Sequence, residues 1–506
     1  MQQPNILFIQ VDQLAAQFLG CYGDAVCRAP NLDRLAASGA VFDTAYCNFP
    51  LCAPSRASMA TGRLCSDIGV YDNAGELPAS IPTYASYLRA AGYQTALSGK
   101  MHFTGPDQFH GFEKRLTPDL YPADFSWAPN WGDEGERDTN DARAVTISGV
   151  CERSVQIDFD NLVTYQAKQH LYDIARSDDR RPFFLQVSYT HPHEPYLCMR
   201  KYWDIYAGAD VPLPTVSALT EAEHDAHSVR ILSDFGMLEA DFSDEDILRA
   251  RRAYYGSISY LDEMIGELLA VLDATGRADD TVIVFTSDHG EMLGERGIWF
   301  KKHFFEPSLR VPLIITGGAF APGRVATPVS LIDLLPTFMG IAAGQGWTSP
   351  VEPLEGEDLS TFIATERPDR PVRAEYLAEA TTSPILMIRR GRYKYIHATD
   401  DPPLLYDLES DPLERRNLAD DPAHAEIVAE FAASIAARWN ETELDANIRL
   451  SQRRRRLVHE ASRQGTPTRW NHGETPDSQV KWYRGDTGYN EWAFQHLSER
   501  TDNSGV

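Results

Sequence analysis

Residues 5–12, "NILFIQVD", decide the fold class. Branched apolar residues run almost unbroken to a terminal carboxylate, which reads as a strand inside an α/β sheet. The pattern returns in "YQTALSGK" (93–100), "PFFLQVSYTHPH" (182–193) and "TVIVFTSDHG" (281–290), the last two again passing from apolar into polar residues. Helical periods lie between them. "PTYASYLRAAG" (82–92) closes on Gly92, and "DEDILRARRAYYGSISYLDEMIGELLAVLDATG" (244–276) closes on Gly276. This alternation predicts an α/β domain with a large, mainly parallel central sheet flanked by helices. In open sheets of that class ligands gather beyond the carboxyl ends of strands, where "VDQ", "SGKMHF", "THPHEP" and "SDHG" all fall. The four polar clusters are therefore expected to meet.

The chain has 506 residues, 47 basic against 73 acidic side chains, and a formal net charge of −26. Its length exceeds the ~150 residues of a typical domain, so one large domain with a smaller companion is expected. The charge repels nucleic acid and anionic membranes, and neither is an expected partner. An anionic substrate would need local cations. Residues 1–11, "MQQPNILFIQV", carry no basic start, long apolar segment or small-residue cleavage site, so a cytoplasmic enzyme is expected. Seven cysteines, an odd number, argue against a disulfide framework, and Cys47, Cys52 and Cys65 lack the paired short spacing of a zinc site.

Beyond Pro371 the character changes. "VRAEYLAEA", "PILMIRRGRYKYIHA" and "PPLLYDLESD" predict a small antiparallel sheet with turns at "RRGR" and "ESDP", and "PAHAEIVAEFAASIAARWNE" predicts a helix. The expected organisation is a catalytic domain over 1–370, an antiparallel-sheet and helix subdomain over 371–464, and an extended tail over 465–506 at an oligomer interface. The basic run Arg453–Arg456 follows a helix rich in carboxylates and reads as an ion-paired or interface helix.

"CAPSRASMATGR" (52–63) resembles the signature of the type I sulfatases, whose Cys is converted to formylglycine by a maturation enzyme. The resemblance extends through "NILFIQVDQ", "GKMHF", "SYTHPHEPY" and "SDHGEMLGERGIWFKKHFFEPSLRVPLIITG". Within the family "GKMHFTGPDQFHGFEKRL", "YPADFSWAPNW", "PPLLYDLESDP" and "RRRRLVHEA" are most similar to the choline sulfatases. The resemblance implies an alkaline phosphatase-like sandwich and hydrolysis of a small sulfate ester through a formylglycine-sulfate intermediate. Choline sulfate is then the leading substrate, with arylsulfates or phosphonate and phosphate esters as alternatives, and a dimer or tetramer is the expected assembly.

Chemistry supports the same residues. Sulfate esters shield their sulfur with negative oxygens, so a catalyst must neutralise charge, present a strong oxygen nucleophile and assist the departing alkoxide. A hydrated formylglycine at Cys52 offers one hydroxyl to attack and a second whose deprotonation expels sulfate, and Arg56 would hold it. Asp12, Gln13, Asp288 and His289, two pairs at strand ends, form with Cys52 the proposed site for one divalent ion, Ca²⁺ first and Mn²⁺ or Mg²⁺ next. Gln13 and His289 replace the Asp and Asn of the commonest family pattern. The resemblance assigns Lys100 and Lys301 to substrate oxygens, His102 to the formylglycine and His191 to the leaving group, and leaves His193 structural. Lys302 competes with Lys301 for its assignment, and Arg63 braces the nucleophile helix. Asn73 resembles a substrate-contacting position. Trp127 and Trp131 are candidates for a cation–π box around a quaternary ammonium, with Glu379, or Glu375, as its carboxylate.

Overall fold

The computed structural model describes residues 3–131, 141–343, 349–467, 469–472, 482–483 and 488–498. Its central sheet has eight strands: β1 (Asn5–Val11), β2 (Ala40–Phe42), β3 (Gln94–Gly99), β4 (Lys114–Arg115), β5 (Phe183–Ser188), β6 (Thr281–Ser287), β7 (Leu313–Thr316) and β8 (Gly323–Val325). Their spatial order is β8-β2-β7-β6-β1-β5-β3-β4. The core from β6 to β4 is parallel throughout, and β7 runs antiparallel to both its neighbours. The expected mainly parallel sheet is present. All seven residues of β1 are buried, as an unbroken apolar run between two parallel neighbours requires.

Register places the site. Val11 pairs with Ser287, Gln10 with Ser188, and Ser188 with Gly99, so four strands end on one line. Asp12, Lys100 and Asp288 are the residues that follow. Gly99 has φ +112°, and a Cβ there would lie 1.9 Å from the Ser188 carbonyl oxygen, so only glycine lets β3 end against β5.

Helices flank this sheet. The main ones are α1 (Cys52–Thr61), α2 (Tyr84–Ala90), α3 (Val155–Arg176) and α4 (Asp244–Ala274), followed in the C-terminal region by α5 (Ala425–Arg438) and α6 (Glu441–Ser462). Every residue of α1 is buried. Small side chains at Ala53, Ser55, Ala57, Ser58 and Ala60 allow that close approach. Pro54 sits in the first turn, where no intrahelical N–H is lost, and Gly62 closes the helix at φ +65°.

The C-terminal region forms a separate antiparallel sheet, β9 (Val372–Tyr376), β10 (Ile385–Arg390), β11 (Tyr393–Ala398) and β12 (Leu404–Asp407), in sequential order. Gly391, at φ +58°, makes the turn between β10 and β11. The Glu375 N–H donates to the Asn48 carbonyl at 2.9 Å and so joins this sheet to the segment preceding α1. The helical run expected to end near Glu441 breaks at Trp439 and Asn440. Asn440 caps α6, where Arg455 makes a two-pronged ion pair with Asp72 at 2.5 and 2.6 Å. The tail folds back on the same chain: Tyr483, Tyr489 and Trp492 are buried, and His496–Leu497 pairs antiparallel with Arg153–Ser154. Among the described residues no helix is long and apolar enough to cross a membrane.

Candidate active site

Arg56 ties the strand ends together. Its Nη2 donates to Asp12 Oδ2 at 3.0 Å and its Nε to Asp288 Oδ2 at 2.7 Å, all three side chains being shut off from solvent. Nη1 donates to the Lys100 carbonyl at 2.7 Å and to the Ser188 hydroxyl at 2.8 Å. One guanidinium thus bridges the ends of β1, β3, β5 and β6, which the fixed fork of arginine can do and a lysine cannot. Burial and the Cys52 sulfur push the Asp12 carboxyl up, but the neighbouring cations, Lys100 foremost and Arg56 with it, bring it down to about 2. Lys100 Nζ is in direct contact with Asp12 Oδ2.

Cys52, the first residue of α1, stands at the centre. Its Sγ lies 3.2 Å from His289 Nε2 and 3.9 Å from Asp12 Oδ1. One donor atom from each of Asp12, Cys52, Asp288 and His289 falls within 4.8 Å of the others. His289 Nδ1 bonds the Gly290 carbonyl at 3.0 Å, which aims Nε2 at this cluster. Two buried carboxylates, an imidazole and position 52 converging on one point fit a divalent cation, and the mixed oxygen and nitrogen donors suit Mn²⁺ or Mg²⁺ as well as Ca²⁺. Burial opposes a thiolate, yet Lys100, Lys301 and His289, with His102 nearby, hold the Cys52 thiol well below its ordinary range. The positive groups therefore focus on position 52.

Gln13, at φ +66°, contributes differently from the other strand-end residues. Its N–H donates to Asp288 Oδ1 at 3.1 Å, and its side-chain oxygen accepts from Lys301 Nζ at 2.6 Å. The side-chain amide nitrogen donates to Glu194 Oε2 at 2.6 Å and touches Glu291.

A pocket opens onto Cys52 and is lined by Leu51, Asn73, Tyr121, Trp127, His193, Lys301, Lys302, Glu379 and Tyr489. Asn73 Oδ1 accepts the Ala53 N–H at 3.0 Å and so caps α1. Both lysines of the pair are present: Lys301 serves Gln13, and Lys302 pairs with Glu379 at 2.6 Å. Trp127 packs 5.2 Å from Tyr121 and 5.7 Å from Tyr489, and Lys100 Nζ lies 4.3 Å over the Tyr121 ring. The His102 ring, 4.9 Å from Tyr121 and 5.5 Å from Trp127, completes this aromatic group.

Several expected positions lie away from the pocket lining. The two histidines of "THPHEP" have different surroundings. His191 Nδ1 bonds Asp160 of α3 at 2.6 Å, with its ring 5.2 Å from Tyr260, whereas His193 lines the pocket with Nε2 2.9 Å from Lys301 Nζ. Nothing in their spacing distinguishes them, because the deciding carboxylate lies on another element. Trp131 is absent from the pocket lining: its Nε1–H donates to the Ala378 carbonyl at 2.6 Å and Arg449 covers its ring. Glu375 accepts from Ser66 and from Trp439 Nε1 at 2.5 Å, and is likewise absent from the lining. Arg63 pairs with Glu352 at 2.6 Å. Tyr121 and Tyr489 were not anticipated. Tyr121 lies within "YPADFSWAPNW" and Tyr489 within the tail over 465–506, far apart in the chain.

Residues 4–344 match the sulfatase family model, and residues 294–441 match that of the N-sulphoglucosamine sulphohydrolase C-terminal region. A choline-sulfatase of Rhizobium meliloti (strain 1021) is 45% identical over 497 residues, which cover 95% of this chain and 96% of that one. A multifunctional alkaline phosphatase superfamily protein of Trinickia caryophylli is 30% identical over 93% of this chain and 100% of its own. The solved phosphonate monoester hydrolase of Agrobacterium radiobacter superposes with a TM-score of 0.70 at 25% identity, covering 88% of this chain and 96% of that one. The chain belongs to the sulfatase family and is a sulfuric ester hydrolase.

Proposed function

We propose that the protein hydrolyses choline sulfate to choline and inorganic sulfate. The observation that carries this reading is a single small pocket offering both halves of the recognition. Lys301 and Lys302 can meet sulfate oxygens, while Tyr121, Trp127 and Tyr489 present ring faces to a quaternary ammonium, with Glu379 as an anion. The similarity to a choline-sulfatase points the same way.

Formylglycine formed from Cys52 by a maturation enzyme would supply a geminal diol, and a divalent ion held by Asp12, Asp288 and His289, Ca²⁺ first, would acidify its attacking hydroxyl. The remaining work falls to the chain's own side chains. Arg56 aligns Asp12 and Asp288, Asn73 holds the start of α1, and Lys100 and Lys301 neutralise the charge that gathers on the ester oxygens. Lys301 Nζ, hydrogen-bonded to and oriented by His193 Nε2, supplies the proton that the departing alkoxide needs.

Mass spectrometry of the peptide spanning Asp43–Ala57, with turnover of choline, aryl and simple alkyl sulfates, tests the proposal. Loss of the thiol mass in favour of an aldehyde and a preference for choline sulfate are expected, and a chelator should abolish turnover until a divalent ion is returned. An intact thiol in fully active protein refutes it. The similarity to a phosphonate monoester hydrolase supports a second reading, with the same site acting on phosphonate esters. Faster turnover of a phosphonate than of a sulfate with one leaving group would establish that reading instead.

A further inference from the structure

Two carboxylates share one amide beneath the pocket. Gln13, Glu194 and Glu291 are each at most 2% exposed, and the Gln13 amide nitrogen reaches both acids. Glu291 is held by the loop that follows Asp288, its Oε1 accepting the N–H groups of Leu293 at 2.6 Å and Phe300 at 2.7 Å. Glu194 faces the chemistry instead. Its Oε1 lies 3.5 Å from Lys301 Nζ and its Oε2 3.2 Å from His193 Nδ1, while its carbonyl accepts the Nδ1–H at 2.7 Å. Lys301 in turn donates to the Gln13 oxygen at 2.6 Å and to His193 Nε2 at 2.9 Å. An ammonium donating to Nε2 and oxygens accepting at Nδ1 admit one tautomer, with the proton on Nδ1. A single buried acid therefore contacts Gln13, Lys301 and His193 at once.

We propose that Glu194 is a positioning residue which, together with the Gln13 amide, fixes the Lys301 ammonium and the His193 tautomer that serve the leaving oxygen. The proposal rests on the functional reading above. It also explains why an amide occupies position 13: a carboxylate there would confront Glu194 and Glu291 with a third buried negative charge and no donor between them.

Glu194→Gln keeps the shape and removes the charge. With choline sulfate its kcat should fall ~10–100-fold, with a smaller change in KM and an unchanged melting temperature. Because Glu194 acts through His193 and Lys301 together, adding Glu194→Gln to His193→Ala should cost clearly less than it costs in the wild type. Nitrogen-15 shifts of His193 should report the Nδ1–H form in the wild type and a mixture in Glu194→Gln. Gln13→Glu should lose activity, and Glu194→Gln should restore part of it. Wild-type kcat in Glu194→Gln, additive losses with His193→Ala, or an unchanged tautomer each overturn the proposal. Should Glu194→Gln fail to fold, Glu194→Asp must show the kcat loss in a folded enzyme, and wild-type kcat there overturns it equally. A wild-type protein without sulfate ester turnover overturns the functional reading, while the His193 tautomer still decides whether Glu194 positions the ring.

Discussion

The floor and the rim of the pocket are built from different material. The floor consists of residues that directly follow β1, β3 and β6, with the first residue of α1, and Arg56 ties them at 2.7–3.0 Å. Strand register and charged hydrogen bonds fix those atoms in direction as well as distance. The rim consists of Tyr121 and Trp127, from the segment between β4 and α3, and Tyr489 from the tail, with ring centroids 5.2–6.1 Å apart. Such ring contacts hold over a wider span of distance, ~4.5–7 Å between centroids, than a charged hydrogen bond does. On the proposed reading, reaction type is set by the sheet and substrate choice by the segments laid over it, which is the division expected of a fold that carries many activities.

This contrast can be broken at either end. Cys52→Ala should remove turnover by ~10⁴-fold or more while the melting temperature stays within a few degrees, and a tenth of wild-type activity remaining would refute the assignment of the floor. His193→Ala should cost ~10²–10⁴-fold with choline sulfate and far less with an aryl sulfate, whose leaving group needs no proton. His191→Ala should instead lower the melting temperature, since it strips the buried Asp160 of a partner, and the opposite pattern would return the acid role to His191. At the rim, Trp127→Ala should raise KM for choline sulfate ~30-fold, the equivalent of ~2 kcal/mol of desolvated cation–π contact, and leave a neutral alkyl sulfate nearly unaffected. Equal losses on both substrates would show that the rim merely supports the floor.

Glu375 offers a control outside both regions. Burial raises its carboxyl to about 7, against the hydrogen bonds from Ser66 and Trp439. A carboxyl raised in this way favours the fold in its neutral form, fully so below its ordinary value of 4.5, and that stability is lost as pH rises through about 7. Urea unfolding should therefore find Glu375→Gln close to the wild type at pH 4.5 and more stable by up to about 3 kcal/mol at pH 8. A gap that does not widen across that window would contradict the buried acid.

The floor was legible in the sequence because each part of it is local. An apolar run ending in Asp12, another ending in Asp288 and the 52–63 signature each declare themselves within a dozen residues. What escaped depends on partners far along the chain. Tyr121 meets Tyr489 across 368 positions, and the choice between His191 and His193 is made by Asp160, 31 positions upstream of His191. Trp131 resembles Trp127 in composition and spacing, but the Ala378 carbonyl draws its indole away. Gln13 was marked as a departure from the family pattern, and the meaning of its amide emerges only when Glu194 and Glu291 are seen on either side.

The seclusion of Cys52, 2% exposed in a helix with no exposed residue, imposes an order of events. On the formylglycine reading proposed above, a maturation enzyme would reach that sulfur only while residues 52–63 are still unfolded. Maturation and folding are then competitors in time, and a host that folds the polypeptide quickly relative to its supply of modifying enzyme is expected to yield well-folded but dormant molecules, a fraction set by kinetics rather than by affinity.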